Sequence, residues 1–238
     1  MLMWLSSLPA LILFAMVWKY DTIDKEPIGL VLKMFCFGCL SIIPAMVIEL
    51  AGSNFMDNYV LWDSRVEYAL VENFVLVACA EEGSKLLFLL TVRNNPNFDY
   101  TFDGIIYAVA VGLGFATVEN IMYVMGSGSV GVAISRGLLS VPLHCTCAIF
   151  MGYFFGLAHK ARFSRQGGAM LSCGLMAFAV PVIIHGFYDF SLSVDSDLAT
   201  GLGLIFTVLI FIAAAALIKR SSKNDSSVVP EIPNPPRY

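Results

Sequence analysis

Charge is scarce in this sequence of 238 residues: 13% of the residues are charged, 58% are hydrophobic, and the mean hydropathy is +0.78. That balance excludes a single soluble domain, which could not hide so much apolar surface. No basic residue precedes Lys19 and no A-x-A site follows the first apolar run, so that run reads as a retained helix rather than a cleaved signal peptide. The six cysteines all lie in apolar runs and none in an external loop, which excludes a disulfide framework. Cys36 and Cys39 offer only two ligands, and Cys145 and Cys147 point to nearly opposite sides of a helix. Both pairs read as small apolar fillers. No internal repeat is evident. The sequence also lacks H-E-x-x-H, G-x-S-x-G and paired membrane aspartates, so the commonest helical zinc, serine and aspartic signatures are missing.

What is present is a series of apolar runs near the ~20 residues that a bilayer requires. They cover residues 2–18, 29–51, 69–92, 104–125, 130–158, 169–190 and 198–218. The expected fold class is therefore all-α: a polytopic bundle of about seven transmembrane helices, with residues 1–220 as one membrane domain. The polar, proline-rich segment 221–238 reads as a disordered tail. Basic residues fall in alternate connections: Lys19, Lys25 and Lys33, then Arg93, then Lys160, Arg162 and Arg165, then Lys219, Arg220 and Lys223. The other connections hold only Arg65. Because Lys and Arg are retained in the cytoplasm, the N-terminus is expected outside and the tail inside. The net charge of −4 identifies no partner, and no nucleic-acid ligand is expected.

Ionisable groups at bilayer depth are expensive and are usually paired or functional. Measured from the cytoplasmic end of each helix, Glu81 lies ~18 Å deep, Glu119 and His144 ~22 Å, and His185 ~26 Å. Four helices thus bring a carboxylate or an imidazole to a common level. Glu81 and Lys85 are i,i+4 neighbours, and Glu82 is i,i+3 to the same Lys85. His185 and Asp189 form a second i,i+4 pair, in which the carboxylate can orient the ring. Gly104, Ala108, Gly112 and Ala116 make a small-residue row along the fourth run, which turns Glu119 toward the bundle interior. Pro142 and Pro181 precede the two membrane histidines and can bend their helices.

Other polar groups have plainer readings. Glu49 and Glu72 lie near helix ends and read as interfacial, His159 as a solvated loop residue, and Arg136 as a snorkelling residue at the outer surface. The convergent set of Glu81, Glu82, Glu119, His144 and His185 suits three tasks: activating water, holding a metal that activates water, or relaying protons. Spacing alone does not choose among them.

Five segments, in order, resemble the PrsW family of bacterial intramembrane proteases: KYDTIDKEP (19–27), EEGSK (81–85) as EExxK, FDGIIYAVAVGLGFATVEN (102–120) with FxxxE, the R…PLH stretch (136–144) and HGFYDF (185–190) as HxxxD. The family is distantly similar to the CAAX prenyl endopeptidase group, which shares the paired glutamates. The resemblance implies an endopeptidase of the bacterial cell membrane. It would make the first, extracytoplasmic cut in a single-pass anti-sigma factor and so start regulated intramembrane proteolysis. It also implies that Glu81, Glu82 and Lys85 are the EExxK residues, Glu119 the FxxxE glutamate, and His185 with Asp189 the HxxxD pair, with His144 a further family histidine. The reading preferred here is a metal-free, cofactor-free enzyme. Glu81 or Glu82 activates water, and His144 and His185 stabilise the oxyanion or protonate the leaving amine. A zinc ion on His144, His185 and Glu119 is the alternative chemistry. A proton-coupled transporter is the alternative function, although the paired broken helices and internal repeat of such proteins are not found.

Overall fold

The computed structural model describes residues 2–229, with side chains from Ser7 onward; the rest of the tail expectation, 230–238, lies outside the described residues. Seven helical passages follow the seven apolar runs. They are α1 (Leu2–Trp18), α2 (Ile28–Tyr59), a compound helix from Arg65 to Val92, α5 (Asp103–Ser127), a broken pair α6 (Val130–Leu138) and α7 (Ser140–Phe163), α8 (Gly167–Ser193) and α9 (Asp197–Lys223). Five of these are long and apolar enough to cross a membrane: α2, α5, the α6–α7 passage, α8 and α9. The chain is an all-α, multi-pass membrane bundle. Among the described residues an isolated bridge between Tyr100 and Ser227 is the only β pairing.

Local chemistry marks the helix ends. Ser64, Ser129 and Ser196 each accept a hydrogen bond from the backbone N–H three residues on, at the starts of the compound helix, α6 and α9. Glu67 completes the first cap by accepting from the Asp63 N–H. Gly128 ends α5 in the left-handed conformation (φ 62°), where a side chain would be strained. The run expected as one helix over 130–158 is broken at Leu139. Pro142 has no N–H to give the Leu138 carbonyl, and α6 is freed to turn away from α7.

The central element is α5, every residue of which from Asp103 to Ala116 is buried. It packs between α2 and α7, and glycine makes this possible. A Cβ at Gly104 would come within 2.6 Å of the Gly152 carbonyl on α7, and one at Gly114 would overlap the Phe35 carbonyl on α2. The basic connections gather at one end of the bundle, as the charge pattern requires. There Ser222 donates to the Tyr20 carbonyl (2.5 Å), Arg162 to Asn94 (2.9 Å) and Lys160 to Ser226 (2.7 Å). The first part of the expected tail is built into this end. Helix α9 runs to Lys223, Asp225 accepts from Thr101 and the Phe102 N–H, and Val228 is buried.

The compound helix consists of α3 (Arg65–Leu70), a π-helical stretch (Val71–Val77), α4 (Ala78–Leu89) and a final tight turn (Leu90–Val92). The π stretch lies directly before EEGSK, where wider turns of this kind often accompany functional sites. It is held from the side by Asn73, whose amide donates to the Ala69 carbonyl (2.6 Å) and to Ser193 of α8 (2.7 Å). Gly186 lets α8 close on the same stretch, since a Cβ there would meet Phe74 at 2.6 Å.

Candidate active site

Four passages deliver the polar groups that the depth estimate placed at one level, and in the folded chain these groups touch. Lys85 is the hub. Its ammonium lies 2.7 Å from Glu82, 3.0 Å from Glu81 and 3.0 Å from Nδ1 of His144, so its three N–H groups are all engaged. The face of Phe115 lies 4.0 Å away, adding a cation–π contact. Removing Lys85 would leave two buried carboxylates without their shared cation, which is the costly case for ion pairs in an apolar interior.

The two histidines have different jobs in this network. His144 accepts from Lys85 at Nδ1, so its proton sits on Nε2, which donates to Glu119 at 2.8 Å. His185 faces carboxylates with both nitrogens: Nδ1 is 2.9 Å from Glu82 and Nε2 is 3.1 Å from Asp189. Both bonds form at once when the ring carries two N–H groups. The rings meet edge to face with centroids 5.0 Å apart. All seven residues named from the sequence therefore belong to one connected cluster.

The glutamates also differ. Glu82 is fully buried, and its second oxygen, Oε2, has no hydrogen-bond partner among the described residues. Glu81 instead lines a cavity of about 630 Å³, shared with Glu119, that runs between α2 and α5. Space for water and substrate is thus beside Glu81. Asp189 and Glu119 flank the cluster as the partners of its histidines.

Three residues stand differently from their sequence readings. Arg136 does not snorkel away from the protein. Its guanidinium pairs with Glu119 (2.8 Å), donates to Asn120 (3.2 Å) and lies over Tyr123 (3.9 Å), because the break at Leu139 swings α6 back over the site. His159 is buried within α7 rather than solvated, stacked on Phe98 at 4.0 Å, because the 93–102 connection folds over it. Glu49 is a wall of the cavity.

A family described as PrsW family intramembrane metalloprotease matches residues 26–218. The chain is 34% identical to proteins named Protease PrsW from three bacteria. The match covers 91% of this chain and 94% of the Oceanobacillus iheyensis protein, 90% and 88% for Geobacillus kaustophilus, and 79% and 81% for Bacillus subtilis. The chain belongs to the PrsW family of intramembrane proteases. It is a multi-pass bacterial membrane peptidase, and that membership sets aside the transporter reading. No solved structure matches it.

The description of the PrsW family names a metal, so the donor set has to be tested for one. Glu81, Glu82, His144 and His185 each offer a ligand atom, all within 4.8 Å of one another and all buried. The orphaned Oε2 of Glu82 is a further free donor. Two carboxylates and two imidazoles suit zinc, so these residues fit the ion. Glu119, expected as the third ligand of a zinc set, stands outside the four and is bonded to Nε2 of His144.

Proposed function

We propose that this PrsW-family peptidase cuts a single-pass anti-sigma factor near the outer face of the membrane, using water activated by Glu81. The observation that carries the assignment is the division of labour between the paired glutamates. Glu82 is sealed in bonds to Lys85 and His185, whereas Glu81 opens on the cavity. Glu81 removes a proton from water as its oxygen bonds to the scissile carbonyl carbon. Lys85, 3.0 Å from Glu81, limits the cost of a carboxylate held at this depth. The proton then passes to the leaving amine as the C–N bond breaks, with His185 oriented for the transfer by Asp189 and Glu82. His144, held by Lys85 at Nδ1, turns its Nε2–H from Glu119 to the charge that develops on the carbonyl oxygen.

A second reading is supported by the four-ligand set and the free Oε2 of Glu82: Glu81, Glu82, His144 and His185 would hold zinc. Bound there, the ion would supply Lewis-acid polarisation of the scissile carbonyl. One experiment tests both readings. Purified protein in proteoliposomes is incubated with a panel of membrane-anchored anti-sigma factors, before and after exhaustive chelation. Cleavage of one member that persists after chelation supports the Glu81 scheme. Cleavage lost on chelation and restored by zinc alone would replace it with the metal scheme, and a panel left uncut would remove the proposed substrate class.

A further inference from the structure

The cavity that reaches Glu81 has a wall that the hydrolytic scheme does not use. From α2 it is lined by Ile42, Met46 and Glu49, and from α5 by Phe115, Glu119 and Met122. Leu50 and Met122 on its rim are exposed on the outside of the bundle, so the cavity opens sideways between the two helices. Its charged lining is entirely acidic: Glu49, Glu81 and Glu119, with no Lys, Arg or His.

Two of these carboxylates have cations behind them, Glu81 with Lys85 and Glu119 with Arg136. Glu49 has none. No hydrogen bond or ion pair involves it among the described residues, although it is half-buried in a membrane helix. It lies 21 residues beyond Ile28, ~32 Å along α2, on the outer side of the cluster. At that height, near the outer membrane edge, a half-buried carboxylate that no cation of the described residues pairs with directly is open to a cation brought by an occupant of the cavity.

We infer that Glu49 is a specificity-determining residue: the substrate chain enters between α2 and α5, and a Lys or Arg side chain near its cut site pairs with Glu49 as the scissile bond reaches Glu81. This rests on the peptidase reading for the identity of the occupant. The geometry gives the occupant one apolar wall on each helix and an acidic contact at the outer end. That is the complement of an unwound, largely apolar membrane segment with one cation.

The test separates docking from cleavage. The probe is a synthetic single-pass peptide with a Leu/Ala span, made with Lys, Gln or Glu at each position of its outer third in turn. It is presented in proteoliposomes to protein carrying a photoreactive residue at Met46, or at Leu209 on the lipid-facing side of α9. From Met46, at one peptide position, the Lys form should be captured about tenfold better than the Glu form. Glu49→Gln should erase that preference, Glu49→Lys should reverse it, and capture from Leu209 should not discriminate. Equal capture of Lys and Glu forms from Met46, or a ranking that neither Glu49 variant moves, would overturn the inference. Cleavage is scored apart: Lys-selective capture without any cut would leave the docking surface standing and remove the proposed delivery of the bound span to Glu81.

Discussion

Helix α5 carries a cluster of buried carboxylates at each end, and the two clusters are answered in opposite ways. At the end where the basic connections gather, Glu26 accepts from the Tyr107 hydroxyl, and Asp103 accepts from the backbone N–H groups of Asp99 (3.0 Å) and Tyr100 (2.7 Å). Asp225 nearby accepts from Thr101, the Phe102 N–H and the Ser226 N–H. No Lys or Arg pairs with Glu26 or Asp103 among the described residues. At the other end the partners are an ammonium, a guanidinium and two imidazoles, beside a cavity. Carboxylates answered by backbone N–H groups fix loops. Carboxylates answered by mobile protons and facing open space can do chemistry. The count of acidic residues is similar, and what stands opposite them decides the role.

The largest effect should come from the carboxylate at the cavity. Glu81→Gln keeps the shape but cannot take a proton, so turnover should fall ~10²–10⁴-fold while the protein remains inserted and folded. Glu26→Gln at the other end should leave turnover unchanged. Cleavage assays on the two variants side by side check the contrast, and equal losses would erase it.

Next in size is the loss of the cation that only one cluster has. Lys85→Met leaves Glu81 and Glu82 side by side without compensation, a change expected to cost ~3–5 kcal/mol. Thermal unfolding in detergent should show it, and the double variant Lys85→Met with Glu82→Gln should recover part of the loss. A Lys85→Met protein as stable as the parent would mean that the ammonium does not hold the pair together.

The comparison also shows what a sequence can carry. The seven passages were readable because bilayer thickness fixes run length, and EEGSK, Glu119, His144 and His185 stood out because ionisable groups at one depth on four helices are costly. Depth measures position along a helix and nothing across it. Arg136 was therefore misplaced: its approach to Glu119 depends on the turn at Leu139, where Pro142 interrupts the hydrogen bonding. Glu49 looked interfacial because its distance along α2 is near the membrane edge, while the space beside it exists only between two packed helices. The π stretch before EEGSK left no trace, since a shift from i+4 to i+5 bonding needs no particular residue. His159 was read by its neighbour Lys160, yet stacking on Phe98 comes from a connection about 60 residues earlier.

A smaller effect is expected at Asp189, which touches the active cluster only through His185. Asp189→Asn should lower turnover by ~10–100-fold, the usual cost of losing a partner that orients a functional histidine. The amide changes the proton balance of the ring, so the acid limb of the pH–rate profile should move as well. A lower rate with an unmoved profile would limit Asp189 to packing.

The last effect belongs to the cluster at the basic end and concerns stability. Burial pushes the Glu26 carboxyl up from its ordinary 4.5 to about 7, with the hydrogen bond from Tyr107 opposing part of the rise. Below pH 4.5 the folded and unfolded chains both hold the proton, and the contribution of Glu26 is fully present. Between 4.5 and about 7 the unfolded chain has released a proton that the folded chain keeps, so the contribution of Glu26 declines as pH rises and is lost above about 7. Glu26→Gln keeps an oxygen for the Tyr107 hydroxyl but cannot ionise. It should remove this part of the decline, leaving the variant more stable than the parent at pH 8 and little different at pH 4.5. Unfolding curves for the two proteins across that range measure the difference directly. Parallel pH profiles would show that Glu26 ionises as freely in the fold as in the unfolded chain, and the contrast between the two ends of α5 would then rest on geometry alone.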